Sequence, residues 1–275
     1  MITDDIRVPL RDRDPFLHVR RGFVDVEDGA VVVADVNGVR MQVPVGALAC
    51  LMLEPGTTIS HEAVKACAAE DCLLLWVGEG GVRMYSAGTP GSARSDKLLT
   101  QLAIAADPRR RLLVVRGMFA RRFRGEVPEK RSVEQLRGLE GVRVREKYTE
   151  LAQKHGLTWG GRQYDPKAWA KGTDTNRAIS AANACLYAVT ECAVLVAGYS
   201  PAIGFLHSGK PLSFVYDIAD LFKFEVSVPA AMEIVKKQSR DVEGDVRRLL
   251  RERFLATKLM EQLVPTIEEV LDVGD

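Results

Sequence analysis

Two hydrophobic periodicities divide the chain. Before about residue 90, apolar and polar residues alternate in short segments such as Gly22–Glu27 and Ala30–Val36, a period typical of β-strands. Asp28-Gly29 joins these two segments, and Asn37-Gly38 follows them; both dipeptides are typical of tight hairpin turns. The pattern therefore predicts hairpin-connected strands in the first third of the chain.

The remaining elements of this region are shorter. Segments 73–77 and 82–85 predict two more strands, and Ser60 begins a short helix that reaches Ala69, with Glu62 in its first turn. The segment 88–92, Gly-Thr-Pro-Gly-Ser, is rich in turn residues and predicts a linker.

After residue 95 the apolar spacing becomes three to four residues, which predicts helices. The positions that define two such faces are Leu98, Leu99, Leu102 and Ala106, then Leu112, Val115, Phe119 and Phe123. We predict an α+β protein: a mainly antiparallel N-terminal β domain at residues 1–87, a linker at 88–94, and a larger all-α catalytic domain at 95–275.

Composition excludes several classes of protein. With 275 residues, 47% hydrophobic and 27% charged, the chain is globular rather than disordered. Its five cysteines form no CxxC pair, which favours a reduced intracellular protein. The charged N-terminus does not suit a signal peptide, and polar residues interrupt the apolar run 178–198, which argues against a membrane span. We expect a cytoplasmic protein.

Charge is unevenly distributed although the net charge is only +1. Residues 107–147 hold thirteen Arg or Lys against six Asp or Glu, whereas residues 212–275 hold nine against thirteen. A basic surface of this size attracts phosphates, which favours a nucleic-acid partner. The alternative is a solvated helix face that the acidic C-terminal part balances.

The segment 201–220 places His207, Asp217 and Asp220 between apolar residues. The two aspartates are three residues apart, so on a helix their carboxylates share a face. Glu140 is an acid in a basic helix, with Arg137 and Arg143 one turn away. Oxygen ligands with one imidazole suit magnesium or manganese. Taken singly, such an Asp pair is more often a solvated face, and a lone histidine is more often hydrogen-bonded in a core.

A polar stripe runs along the otherwise apolar helix predicted after residue 174. It consists of Asn176, Ser180, Asn183, Tyr187 and Thr190 or Glu191, spaced alternately by four and three residues. A buried stripe must be hydrogen-bonded, either to a neighbouring helix or to the edge of an active site, and both possibilities remain open.

Long motifs carry a family resemblance over residues 20–270. They are QLRGLEG around Glu140, GFLHSGKPLSFVYDIAD around His207, PVGALACLMLEPG at 44–56, GTPGSARSDKLL at 88–99 and YDPKAW at 164–169. The chain resembles the CRISPR-associated spacer integrase, the first protein of the adaptation pair, in its subtype I-E form.

The resemblance implies an enzyme that inserts short double-stranded DNA fragments into a CRISPR repeat array. It implies that Glu140, His207 and Asp220 bind Mg²⁺ or Mn²⁺, with Asp217 as a supporting catalytic acid. It also implies a homodimer, two copies of which are bridged by a dimer of the small second adaptation protein, and no membrane partner.

Four further residues acquire DNA-binding roles through the resemblance. Arg83 would grip DNA, Tyr164 and Lys210 would read the sequence that flanks the incoming fragment, and Tyr187 would lie near the metal centre. Two departures concern fragment capture: the sequence stops at Asp275 without the Pro-rich extension of some relatives, and an arginine, residue 21, stands where an aromatic wedge is expected.

The expected reaction is direct transesterification, in which the 3′-hydroxyl of the fragment attacks a phosphodiester at the repeat boundary. A general metal-dependent nuclease that acts on branched or single-stranded DNA would need the same four acid and histidine residues. A noncatalytic DNA-binding scaffold, whose acids only balance arginines, is the third possibility.

Overall fold

The computed structural model describes residues 17–48, 50–78, 84–88, 95–123, 127–128, 130–162 and 173–274. They form two compact units. The first comprises the described residues up to Ser95 with Val196–Gly198, and the second comprises Asp96–Leu195 with Tyr199 to the C-terminus. The predicted domain limits stay a prediction, because most of the linker, residues 89–94, lies outside the described residues.

The first unit contains two four-stranded sheets and one α-helix. One sheet has the order β1-β5-β7-β8 and the other β4-β3-β2-β6. The strands are β1 (Leu17–Val19), β2 (Gly22–Glu27), β3 (Ala30–Asp35), β4 (Arg40–Val43), β5 (Cys50–Leu53), β6 (Thr57–Ile59), β7 (Leu73–Val77) and β8 (Met84–Gly88). Helix α1 is His61–Ala69, and a short 3-10 helix spans Val45–Ala47.

The predicted β2–β3 hairpin is confirmed. The strands pair antiparallel from Gly22 opposite Asp35 to Glu27 opposite Ala30. Asp28 and Gly29 both have positive φ, +50° and +81°, as the tight turn between twisted strands requires. The second predicted turn also joins an antiparallel pair, β3 and β4.

The described strands pair in both directions, and the antiparallel ladders contain more residue pairs than the parallel ones. Three strand pairs are antiparallel, β2–β3, β3–β4 and β7–β8, but three others, β1–β5, β5–β7 and β2–β6, are parallel. Hairpin dipeptides identify only neighbours along the chain, whereas parallel partners are separated by long connections that leave no local signal. The α+β class itself, with a β-rich unit before a helical one, is confirmed.

Helix α1 begins as the sequence predicts. The backbone N–H of Ala63 donates to Ser60 Oγ at 3.2 Å, and Glu62 lies in the first turn. Of the strand predicted at 82–85, Val82 and Arg83 lie outside the described residues, and β8 begins at Met84.

The second unit is built from eight helices among the described residues. They are α2 (Asp96–Ala106), α3 (Pro108–Phe123), α4 (Val133–Lys154), α5 (Asp174–Val196), α6 (Ser213–Phe222), α7 (Ser227–Lys236), α8 (Val242–Ala256) and α9 (Leu259–Leu271). Helix α3 packs against α2, α4, α6 and α9, so α4 and α6, the helices that carry the predicted acids, both contact it.

Helix α4 places Glu140 in the interior. It begins with a capping box, in which Gln135 N donates to Ser132 Oγ at 3.3 Å and Ser132 N donates to Gln135 Oε1 at 3.1 Å. Glu140 is buried on the same helix as Leu136, one turn earlier.

Helix α2 does not bury the face that its leucines suggest. Leu98, Leu99 and Leu102 are exposed, whereas Gln101 and Ile104 are fully buried. A buried glutamine is favourable only when its amide is hydrogen-bonded, and Gln101 has three such bonds to the loop before α6.

Helix α5 is long and apolar enough to cross a membrane, but 72% of its apolar window is buried inside the structure, as in a core helix of a globular protein. Its polar stripe is bonded within the protein: Ser180 and Asn176 accept hydrogen bonds from Arg162, and Ser227 donates to Asn183. Asn176 and Ser180 thus share one arginine, Asn183 is bonded to α7, and Tyr187 lies beside Tyr216 at the candidate site. All five cysteines are buried.

We predict that Gln101→Ala lowers the free energy of unfolding by about 2–3 kcal/mol. Gln101 Nε2 donates to the carbonyls of Ser200 and Ile203 at 3.0 and 2.8 Å, and Ser200 N donates to its Oε1 at 2.8 Å. Truncation leaves these loop groups without partners. Urea unfolding of the full chain measures the loss, and Gln153→Ala, at an exposed position on α4, is the matched control. Equal stability of the two variants would contradict the assignment.

Candidate active site

One small cavity in the helical unit collects the predicted acids and the imidazole. Its walls come from the C-terminal half of α3, the middle of α4, the loop before α6, and α6 itself. The lining residues are Val115, Met118, Phe119, Arg122, Phe123, Glu140, Leu206, His207, Asp217, Asp220 and Leu221. The structure therefore brings together predicted site residues that are up to 80 positions apart, from Glu140 to Asp220.

Asp217 fixes the loop that carries the imidazole. Its Oδ2 accepts from the backbone N–H groups of Phe205 and Leu206 at 2.6 and 3.1 Å, and its Oδ1 accepts from His207 N at 2.9 Å. The side chain of Asp217 is fully buried. Three backbone donors converge on one carboxylate, so this side chain stabilises the loop conformation at 205–207.

The same carboxylate sets the tautomer of His207. His207 Nδ1 lies 2.7 Å from Asp217 Oδ1, and an ionised carboxylate can only accept, so Nδ1 carries the proton. Burial lowers the pKa of His207, but the hydrogen bond and charge of Asp217, with the charges of Asp220 and Glu140, outweigh burial and raise it above its ordinary value. In the neutral ring Nε2 keeps a lone pair for a ligand.

Two cations contact the remaining acids. Arg122, at the end of α3, forms an ion pair with Glu140 through Nη1, and its Nη2 lies 3.1 Å from Asp220 Oδ2. Lys223 Nζ lies 3.1 Å from Asp220 Oδ1. All four side chains are at most 12% exposed, so these charges are held almost without water.

The two acids respond differently to burial. Desolvation raises the pKa of Glu140, and the opposing effect of Arg122 only partly offsets it. Burial also opposes ionisation of Asp220, but Lys223, Arg122 and His207 together lower its pKa below the ordinary value. The neighbouring charge of Asp220 raises the pKa of Lys223 against the effect of its own burial. Of these two acids, Asp220 is the one more strongly held in the charged form.

The donor chemistry of the site fits a divalent cation. Mg²⁺ and Mn²⁺ bind carboxylate oxygens, and Mn²⁺ also accepts an imidazole nitrogen. A histidine that binds a metal usually donates its other ring N–H to a carboxylate, as His207 does to Asp217. Among the described residues, no group of three His, Cys, Asp or Glu side chains is arranged as it stands to hold an ion. The guanidinium of Arg122 contacts both Glu140 and Asp220.

Aromatic residues border the site. The ring centres of Tyr187 and Tyr216 lie 4.9 Å apart, and the ring centres of Tyr216 and His207 lie 5.9 Å apart. Lys210 Nζ lies 6.0 Å from the centre of the Tyr216 ring. Burial raises the pKa of Tyr187 to about 12, so at neutral pH its phenol is uncharged and can donate a hydrogen bond.

The basic stretch 107–147 is only partly a surface feature. Arg111 Nε donates to the carbonyl of Phe205 at 2.9 Å, and Arg121 Nη1 donates to Glu269 Oε2 at 2.6 Å. Arg109, Arg137 and Arg145 are exposed. Some of the local positive charge therefore supports the helical unit, and the exposed arginines remain candidates for phosphate contacts.

Sequence reasoning located some site residues and missed others. The structure brings Glu140, His207, Asp217 and Asp220 together, with Tyr187 and Lys210 at the border, while Arg83 and Tyr164 lie outside the described residues. Arg122, Lys223 and Tyr216 were not predicted. Lys223 follows Asp220 by three residues, a spacing that signals an ion pair on a helix; Arg122 was one of many arginines in its segment, so no local pattern singled it out.

The sequence matches the family model described as CRISPR associated protein Cas1 over residues 17–126 and 120–269. CRISPR-associated endonuclease Cas1 of Geobacter sulfurreducens is 55% identical over 97% of this chain and 87% of its own length. The protein of the same name from Escherichia coli K12 is 54% identical over 98% of this chain and 88% of its own length.

Solved structures of similar fold support the same family. The crystal structure of a TtCas1–DNA complex is 38% identical, has a TM-score of 0.89 and covers 96% of this chain and 98% of that one. A casposase bound to an integration product has a TM-score of 0.63 at 14% identity over 94% of both chains, a likeness of fold. The chain is thus a CRISPR-associated endonuclease by class. Within that class, it belongs to the Cas1 family.

We predict that Asp217→Asn lowers the free energy of unfolding by about 2–4 kcal/mol, because the new amide turns a donor toward backbone N–H groups that now share a carboxylate. The substitution should also release His207 from a single tautomer, which ¹⁵N NMR of the imidazole reports. Glu150→Gln, an exposed carboxylate on α4, is the control for loss of one charge. An unchanged tautomer in the Asp217 variant would show that this hydrogen bond does not orient the ring.

Proposed function

We propose that the protein joins short double-stranded DNA fragments to a CRISPR repeat array by transesterification, with Glu140, His207 and Asp220 as ligands of one Mg²⁺ or Mn²⁺ ion. The observation that carries the proposal is the convergence of two buried carboxylates with an imidazole whose Nδ1 is held by Asp217. Membership of the Cas1 family supports the reaction class, and the name of the DNA-bound TtCas1 structure supports DNA as the partner.

The bound ion would activate the attacking 3′-hydroxyl and offset negative charge on the phosphoryl oxygens. The protein's own residues do the rest. Asp217 keeps the lone pair of His207 Nε2 available by holding the proton on Nδ1. Lys223 holds Asp220 in its charged form, and the surrounding apolar residues Phe119, Leu206 and Leu221 limit access of water, which strengthens each electrostatic contact.

DNA would be held around this centre. We propose that the exposed arginines of α3 and α4 contact phosphates, and that Tyr187 and Lys210 contact the fragment near the ligands. Arg83 would grip DNA from the β-rich unit, and Tyr164 would stack on an exposed base of the flanking sequence. These roles rest on the family resemblance, since two of the four residues lie outside the described part of the chain.

A fragment has two ends that join two strands, so two active sites are needed, and a symmetric homodimer supplies them. We further propose that the chain is of subtype I-E, works in the cytoplasm, and assembles as two homodimers with the small second adaptation protein. The family resemblance carried by the motifs around Glu140 and His207 supports the subtype.

A general nuclease is the second candidate, because the same ligands can activate water in place of a 3′-hydroxyl. The products distinguish the two reactions: an integrase joins a labelled fragment to the repeat, and a nuclease yields only shortened DNA.

The test is an integration assay with the small partner protein, a labelled fragment, a repeat-bearing plasmid and Mn²⁺ or Mg²⁺. We predict that His207→Ala lowers the rate of joining by more than about 100-fold, because an ion ligand is lost. His155→Ala, which removes a histidine at the end of α4, is the matched control and keeps wild-type activity. Equal joining by both variants would contradict the proposed metal site, and removal of the ion with EDTA should abolish joining by the wild type.

A further inference from the structure

The guanidinium of Arg122 occupies the space between two proposed metal ligands. It contacts Glu140 and Asp220 at once, and its side chain is only 5% exposed. These two acids come from different helices, α4 and α6. A single planar cation from a third helix, α3, therefore bridges carboxylates that would otherwise repel one another in a nonpolar environment.

The hydrogen bonds of the Arg122 guanidinium are incomplete. Nη1 donates to Glu140, but Nε and Nη2 are buried and make no hydrogen bond to any part of the chain that the structure describes. Nη2 lies 3.1 Å from Asp220 Oδ2, so the contact is electrostatic and lacks the alignment of a hydrogen bond. A buried guanidinium with two unsatisfied N–H groups is bound less firmly than one with a complete set of acceptors.

The net charge of the site also favours replacement of the Arg122 guanidinium by a divalent ion. The site holds three carboxylates, Glu140, Asp217 and Asp220, and two fixed cations, Arg122 and Lys223, so it carries one net negative charge when all three acids are ionised and His207 is neutral. A divalent ion added beside both cations would leave one net positive charge in a buried site. If the ion displaces the guanidinium, the net charge of the site becomes zero.

We propose that Arg122 is a positioning residue that holds Glu140 and Asp220 together before the ion binds and competes with the ion for Glu140. The inference rests on the proposed metal site and adds that this site carries its own competing cation. Arg122 also has a second attachment: its guanidinium lies 5.4 Å and 5.6 Å from the ring centres of Phe123 and Phe224. These rings can retain the guanidinium by cation–π attraction when Glu140 turns to another cation.

The experiment is a Mn²⁺ titration of the full chain, in which electron paramagnetic resonance measures the free ion. The variants are Arg122→Met, which removes the cation, and Arg122→Lys, which keeps the charge but cannot bridge two carboxylates with one planar fork. Arg143→Met is the matched control. Arg143 lies over Phe119 and Phe123 at 4.8 and 5.3 Å, and among the described residues it forms no ion pair with Glu140 or Asp220.

We expect Arg122→Met to bind Mn²⁺ about tenfold more tightly than the wild type, because the ion no longer displaces a resident cation. Arg122→Lys should tighten binding by a smaller factor, and Arg143→Met should leave the Kd unchanged. Without Mn²⁺, the Arg122→Met protein should melt at a lower temperature than the wild type, and saturating Mn²⁺ should raise its Tm by more.

Weaker or unchanged Mn²⁺ binding by Arg122→Met would overturn the inference. Tightening by Arg143→Met to the same extent would also overturn it, since a general change in charge would then explain the result. If Arg122→Met does not fold, Arg122→Lys decides: wild-type affinity contradicts competition. Wild-type protein that binds no Mn²⁺, or binds it as well after His207→Ala, would instead overturn the proposed metal site and the inference with it.

Discussion

The hydrogen bonds of Asp217 determine whether the candidate site exists at all. This fully buried carboxylate accepts from three consecutive backbone N–H groups and holds the Nδ1 proton of His207. A loop without regular secondary structure is thereby fixed against α6, which also carries Asp220. Helix α6 therefore positions Asp220 directly, and it positions the imidazole of His207 through the hydrogen bonds of Asp217.

Buried acids in this unit are tolerated because cations accompany them. Lys223 and Arg122 flank Asp220, and Arg122 also contacts Glu140. The cluster is nearly neutral as a whole, although each member is almost fully removed from water. Such a cluster is costly when it is broken and contributes little net stability when it is complete, so its presence is better explained by function than by folding.

The sequence predicted the elements more successfully than their arrangement. The β2–β3 hairpin, the Ser60 cap of α1 and the helix that carries Glu140 follow from local patterns, and the structure confirms them. Parallel partners such as β1 and β5 are nonlocal, so the hairpin dipeptides could not predict these pairs. The leucines of α2 were misleading, because tertiary packing buries Gln101 on the other side, where loop carbonyls satisfy its amide. His207, Asp217 and Asp220 stood out as polar residues among apolar ones; Arg122 could not, because only the folded chain shows which arginine faces the acids.

The central claim is that Glu140, His207 and Asp220 bind one divalent ion together. The most direct measurement is anomalous X-ray diffraction from crystals of the full chain soaked in Mn²⁺. The account predicts a single strong anomalous peak within bonding distance of a carboxylate oxygen of Glu140, Nε2 of His207 and a carboxylate oxygen of Asp220. A peak that any one of these three side chains fails to contact, or an occupied Mn²⁺ site elsewhere with none here, would contradict it.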